Sequence, residues 1–315
     1  MSYALTLVAL MALSLISVRI GAASLDLSGL AGDGEAWRLV LVSRLPRTFA
    51  CLLTGAAMAI AGVIMQLLVR NRFVEPGTTG TTEAAMLGLL MVTLIAPAMP
   101  IIGKMAVSAF AALAGTGVFM ALIRRLPPEQ PLLVPLVGLI YSGIIGAGAT
   151  FVAYQADMLQ YLGVWMSGEF SGILAGRYEL LWLAGLMAGV AYVAADLFSI
   201  AGLGRAASVS LGLKYRQVVA LGLMTISMVT ALVTVTVGMV PFVGLVVPNI
   251  VARIMGDNLR ASLPVVAGMG AGLVLASDII GRSVRHPYEI PAGTVFGAAG
   301  AVIFLRLLLG RPARA

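Results

Sequence analysis

The sequence predicts an all-α membrane protein with ten transmembrane helices, and three observations lead to that prediction. Of the 315 residues, 60% are hydrophobic and only 10% are charged, and the mean hydropathy is +1.04. A soluble domain carries about 25% charged residues, so an ordinary globular protein is excluded. Long uncharged stretches recur along the chain, and a helix needs about 20 apolar residues to cross a bilayer.

The individual spans follow from the gaps between charged residues. Uncharged stretches occur at 1–18, 48–69, 84–103, 105–123, 130–156, 180–195, 217–252, 261–277 and 290–305. The stretch 217–252 holds 36 residues, which as one helix would be about 54 Å long in a hydrocarbon core of about 30 Å. Gly238 and Pro241 can break it. This stretch therefore gives two predicted spans, and the total becomes ten.

The first stretch could also be a cleaved signal peptide, with Ala22 and Ala23 as the small residues at the cleavage site. Residues 1–18 contain no Lys or Arg, whereas a signal peptide begins with a positively charged region. A permanent first span is therefore predicted.

Loop charges predict the orientation. With ten spans both ends of the chain lie on one side, and the positive-inside rule favours the cytoplasm, because twelve of the 20 Lys and Arg then fall at inner ends. The other eight are more than topology alone explains. They are Arg19, Arg38, Arg44, Arg47, Lys104, Arg177, Arg282 and Arg285.

The sequence lacks the usual motifs of enzymes and metal proteins. It has no phosphate-binding loop, HExxH, GxSxG or paired cysteine motif. One cysteine, Cys51, and one histidine, His286, argue against a disulfide or a metal site. A conduit without catalytic activity or a cofactor of its own is predicted. The net charge of +7 is attributed to membrane topology and contact with lipid, not to nucleic-acid binding.

An ion-gradient-driven secondary transporter is the alternative, because spans two to five and seven to ten form two sets of four. Such transporters place carboxylates at mid-span. Glu83, Asp196 and Asp278 instead lie at predicted span boundaries. The energy is therefore expected to come from another subunit.

An outer pair of arginines, Arg44 and Arg47, precedes a span rich in small residues, which allow close helix packing in lipid. Isolated arginines at such a position often extend to the membrane interface. A second outer pair, Arg282 and Arg285, occurs later in the chain. Guanidinium groups on an outer face suit recognition of carboxylates on a soluble partner.

Two prolines and a glycine interrupt the apolar segment 241–253. They predict a bent helix whose freed carbonyls face protein or a cavity. At the inner end of the second span, Pro76 and Gly77 stop the helix, and a plain cytoplasmic turn fits these residues. Phe73 is unexpected in a solvated turn, so it is expected to pack against another part of the protein.

The longest predicted cytoplasmic connection is 200–216, and Gly204 and Gly212 bracket a short segment within it. There is room for about two helical turns, which are not stable alone. The segment either lies on the membrane surface as an amphipathic connector or needs the groove of a partner.

Together these motifs resemble the FecCD family, the permease subunits of ABC importers for iron–siderophore complexes, haem and cobalamin. The resemblance runs from Arg44 to Leu307. The matching motifs are R-x-P-R at 44–47, Gln66, Arg70-Asn71, F-V-G-L-V-V-P at 242–248, D-x-x-x-R at 278–282 and E-x-P-x-G at 289–293.

The resemblance implies a type II importer permease fold, with residues 1–315 forming one transmembrane domain in the cytoplasmic (inner) membrane. It implies two permease chains, two ATP-hydrolysing subunits that bind ATP and magnesium, and a periplasmic or lipoprotein substrate-binding protein. Arg44, Arg47 and Arg282 match arginines that grip acidic residues of that binding protein. Asn71 and Phe73 match the cytoplasmic gate. The coupling segment, residues 203–213, matches the part that docks on the ATPase, through Leu203, Gly204, Arg205, Ala207, Ser208, Leu211 and Gly212.

The chain departs from many relatives at three places. Asn71-Arg72-Phe73 replaces Asn-Pro-Leu, Asn249 replaces histidine, and Arg205-Ala206 replaces an acidic pair. The first two departures resemble the subgroup for catecholate-type siderophores, in which two different permease chains usually pair. Transport of a ferric siderophore by a heterodimeric permease is therefore the expected function.

Overall fold

The computed structural model describes residues 3–21, 34–126, 133–256, 258–285 and 288–309. Ala22, Ala23, His286, Arg311 and Arg314 lie outside these ranges. Within them the regular structure is helical and contains no strand, so the all-α prediction is confirmed. The α-helices are α1 (Tyr3–Arg19), α2 (Gly34–Leu39), α3 (Leu45–Val69), α4 (Thr81–Ile95), α5 (Ile101–Ile123), α6 (Leu133–Gln155), α7 (Leu159–Ser167), α8 (Leu181–Val193), α9 (Ala195–Gly202), α10 (Arg205–Ser210), α11 (Tyr215–Val237), α12 (Val243–Met255), α13 (Leu259–Val284) and α14 (Ala292–Leu309).

Each of the ten predicted stretches contains a helix, but the helices differ in length. Six helices in the described part of the chain are long and apolar enough to cross a membrane: Trp37–Val69, which joins α2 to α3 through a π-helical turn, and α5, α6, α11, α13 and α14. Helices α8 and α9 form one apolar pair that is bent by 65°. Helices α1, α4 and α12 have only 17, 15 and 13 residues. At 1.5 Å per residue, α4 covers only about three quarters and α12 only about two thirds of the hydrocarbon core.

Helix α3 lies at the centre of the bundle and packs against α8, α11, α12 and α13. Its small residues permit this, because helices in lipid associate where their backbones can approach closely. A side chain on Gly55 would collide with the backbone of Gly270 in α13, and one on Gly62 with the backbone of Gly244 in α12. These glycines bring Arg47 of α3 and Arg282 of α13 together at one end. At the other end they bring α12 together with the turn that contains the predicted gate residues, here called the gate turn (residues 70–80).

The predicted break in 217–252 is confirmed. Helix α11 ends at Val237, Gly238 has a φ of 84°, and α12 begins at Val243 after Phe242, whose φ of 64° lies in the left-handed region. Pro248 stands inside α12 and has no N–H for the Gly244 carbonyl. Gln66 of α3 donates to that carbonyl from Nε2 at 3.1 Å. The freed carbonyl therefore faces protein, as predicted.

Candidate functional site

The N-terminal end of α3 and the C-terminal end of α13 hold a buried ionic cluster centred on Asp278, which is 1% exposed. Arg47 donates to Asp278 Oδ1 from Nη2 at 2.7 Å and from Nε at 3.1 Å. Its third nitrogen, Nη1, donates to Glu289 Oε2 at 2.8 Å. Two carboxylates thus surround one guanidinium, and Arg47 keeps 13% of its side chain exposed.

Arg282 joins the same cluster from the next turn of α13. Its Nη2 lies 2.8 Å from Asp278 Oδ2 as an ion pair, without the alignment of a hydrogen bond. The guanidinium also donates to the Ser17 hydroxyl and to the carbonyls of Ser17 and Ile20 at the end of α1. Arg282 is therefore fully engaged within the chain, and it is only 5% exposed.

Arg44 binds the same helix end from the other side. Its Nη1 donates to the Val18 carbonyl at 2.7 Å and to the Arg19 carbonyl at 2.8 Å. The last carbonyls of a helix lack partners within it and carry partial negative charge. Two arginines from different helices thus hold the C-terminus of α1 against the bundle.

The structure brings all three predicted docking arginines together but buries two of them. Arg44 and Arg282 are each 5% exposed, so direct contact with a soluble partner would require their present bonds to be exchanged. Sequence reasoning missed this burial because it depends on carbonyl groups of α1, which have no sequence signature. Arg285, in contrast, is exposed and lies over the Tyr288 ring at 5.7 Å. The docking role of the three arginines stays a prediction.

The predicted gate residues lie in the tight turn that follows α3. Arg70 ends the helix with a φ of 57°, in the left-handed region. Asn71 is buried, and its Oδ1 accepts the Phe73 N–H at 2.8 Å, which is the local bond that asparagine makes in turns. The ring of Phe73 packs edge-on against Phe304 of α14, with centroids 6.2 Å apart. The expected packing partner of Phe73 is thereby identified.

The predicted coupling segment contains a short helix, α10, between two glycines with positive φ, 97° at Gly204 and 81° at Gly212. Ser208 is buried and donates to the carbonyls of Ile200 and Gly204, both at 2.7 Å, which holds the helix against α9. Three large apolar side chains nevertheless face outward. They are Leu203, Val209 and Leu211, at 59%, 56% and 64% exposure.

The gate turn and the coupling segment touch each other. A Cβ placed on Gly204 would lie 3.0 Å from Arg70 Nη1, so the guanidinium packs directly on the coupling backbone. A cavity of about 650 Å³ separates the two elsewhere, and its lining includes Asn71, Leu203 and Asn249. Displacement of the coupling segment would therefore reach the gate turn through one contact.

Sequence reasoning also missed Glu75, which it treated as part of a plain turn. Glu75 is 3% exposed, and its Oε1 accepts the Phe242 N–H at 2.9 Å, next to the start of α12. A signal was present: a carboxylate stood between two apolar spans, immediately before the helix-stopping Pro76-Gly77 pair.

Comparison with known proteins identifies the family. The model of the FecCD transport family matches residues 5–310. The petrobactin import system permease protein YclN of Bacillus subtilis is 46% identical over 310 residues, covering 97% of each chain. The ferric-anguibactin transport system permease protein FatD of Vibrio anguillarum is 41% identical over 275 residues, covering 87% of this chain and 88% of the relative.

A solved structure shares the fold. It is an inward-facing conformation of a metal-chelate type ABC transporter, with a TM-score of 0.82 at 22% identity, and the match covers 97% of this chain and 98% of that one. The helical bundle, its motifs and the match along nearly its whole length agree: this chain belongs to the FecCD transport family.

Proposed function

We propose that this chain is the permease subunit of an ABC importer that moves a ferric siderophore across the cytoplasmic membrane. The observation that carries the proposal is the 46% identity to a petrobactin permease over 97% of both chains. The anguibactin permease is a second siderophore transporter at similar identity. Both names support a catecholate-type siderophore as the substrate class, and the ATPase is expected on a separate subunit.

The proposed topology is a type II permease with ten spans and both ends in the cytoplasm. It is supported by one helix in each uncharged stretch and by the surplus of inner positive charge. The short helices α4 and α12 each follow an irregular segment. Irregular backbone at membrane depth is stable where protein covers it, so each helix and its preceding segment together serve as one span.

The second permease chain is proposed to pack on α6 and α14. Among the 18 most apolar consecutive residues of each helix, only 17% are buried in α6 and 22% in α14, against 67% in Trp37–Val69 and in α11. Gly143 and Ala147 of α6 are exposed and stand one turn apart, which permits close helix contact. The Phe73 and Phe304 contact places the gate turn beside α14. A path between two permeases would thus pass the proposed gate. A different FecCD-like chain is the proposed partner.

The binding protein is proposed to dock at the outer arginine cluster, but the three arginines differ in their roles. Arg47 would make the direct contact, because it is partly exposed and its partner Glu289 is 24% exposed and can give way to another carboxylate. Arg44 and Arg282 would act indirectly, by holding α1 and Asp278 in place.

The two ATPases are proposed to bind the coupling segment through Leu203, Val209 and Leu211, with Gly204, Arg205, Ala207, Ser208 and Gly212 shaping its backbone. ATP-driven closure would move α10, and the contact between Arg70 and Gly204 would carry that motion to Asn71 and Phe73. Allosteric coupling of this kind requires that the coupling segment and the gate turn, which are in contact, change together between two conformations.

Substitution of Leu211 by glutamate is expected to release the ATPase. The side chain is 64% exposed, so the folded permease tolerates a charge there, whereas an apolar groove does not. Co-purification of the ATPase with the permease should fall about tenfold or more, since burying an unpaired charge costs several kcal/mol. Gln217→Glu, which is also exposed but lies outside the segment, should have no effect. Equal retention with both variants would contradict the coupling assignment.

Reconstitution tests the function as a whole. Vesicles that contain this chain, a second FecCD-like permease and the ATPase should accumulate ferric petrobactin only when ATP and the binding protein are supplied. The same vesicles without ATP, but with a proton or sodium gradient, should not. Uptake driven by the gradient alone would establish the secondary transporter in place of the importer.

A further inference from the structure

Glu75 joins two irregular segments that are far apart in sequence. Its carboxylate accepts the Phe242 N–H at 2.9 Å across 167 residues. In its own segment the same carboxylate caps the short 3₁₀ turn Pro76–Thr78, whose Thr78 hydroxyl accepts the Glu75 N–H at 3.0 Å. The side chain lies inside the bundle at 3% exposure, so this carboxylate is part of the internal structure.

The bond to Phe242 answers a specific need of α12. The first N–H groups of a helix have no partner within it, and in a membrane such groups cannot turn to water. Phe242, with its φ of 64°, precedes the helix and has no side-chain acceptor. A carboxylate is the favoured partner at a helix N-terminus because it complements the helix dipole. Glu75 thus fixes where α12 begins.

Two further bonds join α12 to the end of α3 and to the gate turn. Gln66, one turn before the end of α3, donates to the Gly244 carbonyl at 3.1 Å. Asn249 donates from Nδ2 to the Arg72 carbonyl at 2.8 Å. The bonds of Glu75 and Arg72 thus attach the gate turn to α12 at the start and at the middle of the helix, and the bond of Gln66 attaches α3 to its first turn.

We propose that Glu75 is a positioning residue that fastens the gate turn, residues 70–80, to the N-terminus of α12, so that the turn and α12 move as one body when the gate opens. The proposal rests on the proposed function, because it assigns a part to the same gate. It implies that motion that reaches Arg70 from the coupling segment displaces the gate turn and α12 together. The turn does not bend while α12 stays in place.

Paired spin labels on the assembled transporter test the proposal. The only cysteine, Cys51, is 0% exposed, so introduced cysteines can be labelled selectively. One pair, Arg72→Cys with Ile254→Cys, lies within the proposed body, and another pair, Arg72→Cys with Leu197→Cys, connects it to α9. Ile254 and Leu197 are both exposed. Between nucleotide-free and ATP-bound complexes, the first distance should stay constant and the second should change. A change of similar size in both would overturn the proposal.

Variants of Glu75 supply the second arm. Glu75→Gln keeps an oxygen for the Phe242 N–H and should keep the first distance constant. Glu75→Ala should make that distance nucleotide-dependent and lower the siderophore transported per ATP about tenfold, as expected when the buried Phe242 N–H is left without its acceptor. Glu83→Ala is the matched control, because Glu83 is a partly buried carboxylate of α4 with hydrogen bonds to Ser142 and its own backbone.

These measurements separate the two proposals. If Glu75→Ala does not assemble, the label pairs in the otherwise unchanged transporter still decide the matter. Equal behaviour of Glu75→Ala and Glu75→Gln would overturn the role of the side chain. A constant first distance in a complex that fails to take up ferric siderophore would reject the proposed function and keep this inference.

Discussion

Replacement of Asp278 by alanine is expected to lower the melting temperature of the purified protein by roughly 10 °C. Asp278 is 1% exposed and faces Arg47 and Arg282, which are 13% and 4% exposed. Removing one partner of a buried ion pair leaves an uncompensated charge and costs about 3 to 5 kcal/mol, and each kcal/mol shifts the midpoint by about 2–4 °C in a domain of 150–250 residues. The protein in detergent can be followed by tryptophan fluorescence during heating.

Asp196 offers the matched control. It also pairs with an arginine, Arg260, at 2.8 Å, but its side chain is 63% exposed and that of Arg260 is 49% exposed. Water and salt screen such a pair, so Asp196→Ala should leave the melting temperature unchanged. Equal melting temperatures for Asp278→Ala and Asp196→Ala would show that the outer cluster contributes little to stability.

Replacement of Arg47 by glutamine is expected to abolish most of the stimulation of ATP hydrolysis by the binding protein. Glutamine can keep a hydrogen bond to Asp278, but it cannot reach two carboxylates or attract a third. Loss of a charged contact that is buried on docking costs about 2 to 5 kcal/mol, so the binding protein should bind at least about tenfold more weakly. The ratio of stimulated to basal hydrolysis in vesicles, measured against binding-protein concentration, gives the result.

Lys104→Gln is the control for Arg47→Gln, because Lys104 is a cation at the outer end of α5 and α5 does not carry the cluster. The ratio of stimulated to basal ATP hydrolysis with Lys104→Gln should equal that of the unchanged protein. Restoration of stimulation in Arg47→Gln at higher binding-protein concentration would support a docking role. Normal stimulation in Arg47→Gln at low concentration would contradict it, and the cluster would then serve only to hold α1 and Asp278 in place.

Local patterns predicted much of the fold. Gly238 and Pro241 end one helix and delay the next because glycine and proline act on the backbone directly, without help from tertiary structure. The two glycines at 204 and 212 predicted the limits of a short helix for the same reason. The absence of charge located a helix in each of the ten predicted spans, since the membrane imposes that rule on every spanning segment.

Long-range contacts explain what the sequence did not reveal. The burial of Arg282 results from carbonyl groups 262 and 265 residues earlier, and backbone carbonyls are the same in every residue type. The short helix α7 escaped prediction because it lies in an uncharged stretch of 11 residues, 158–168, which is too short to cross a membrane. The role of Glu75 depends on a strained residue, Phe242, whose conformation follows from the packing of α12 on α3.

The two arginines at the end of α1 also constrain the order of membrane insertion. Arg44 follows α1 closely in the chain and can bind its terminal carbonyls soon after both are synthesised, whereas Arg282 arrives more than 260 residues later. Until α13 has been synthesised, the end of α1 is therefore bound by Arg44 but not yet by Arg282. A chain that stops before α13 leaves the carbonyls of Ser17 and Ile20 without the guanidinium of Arg282.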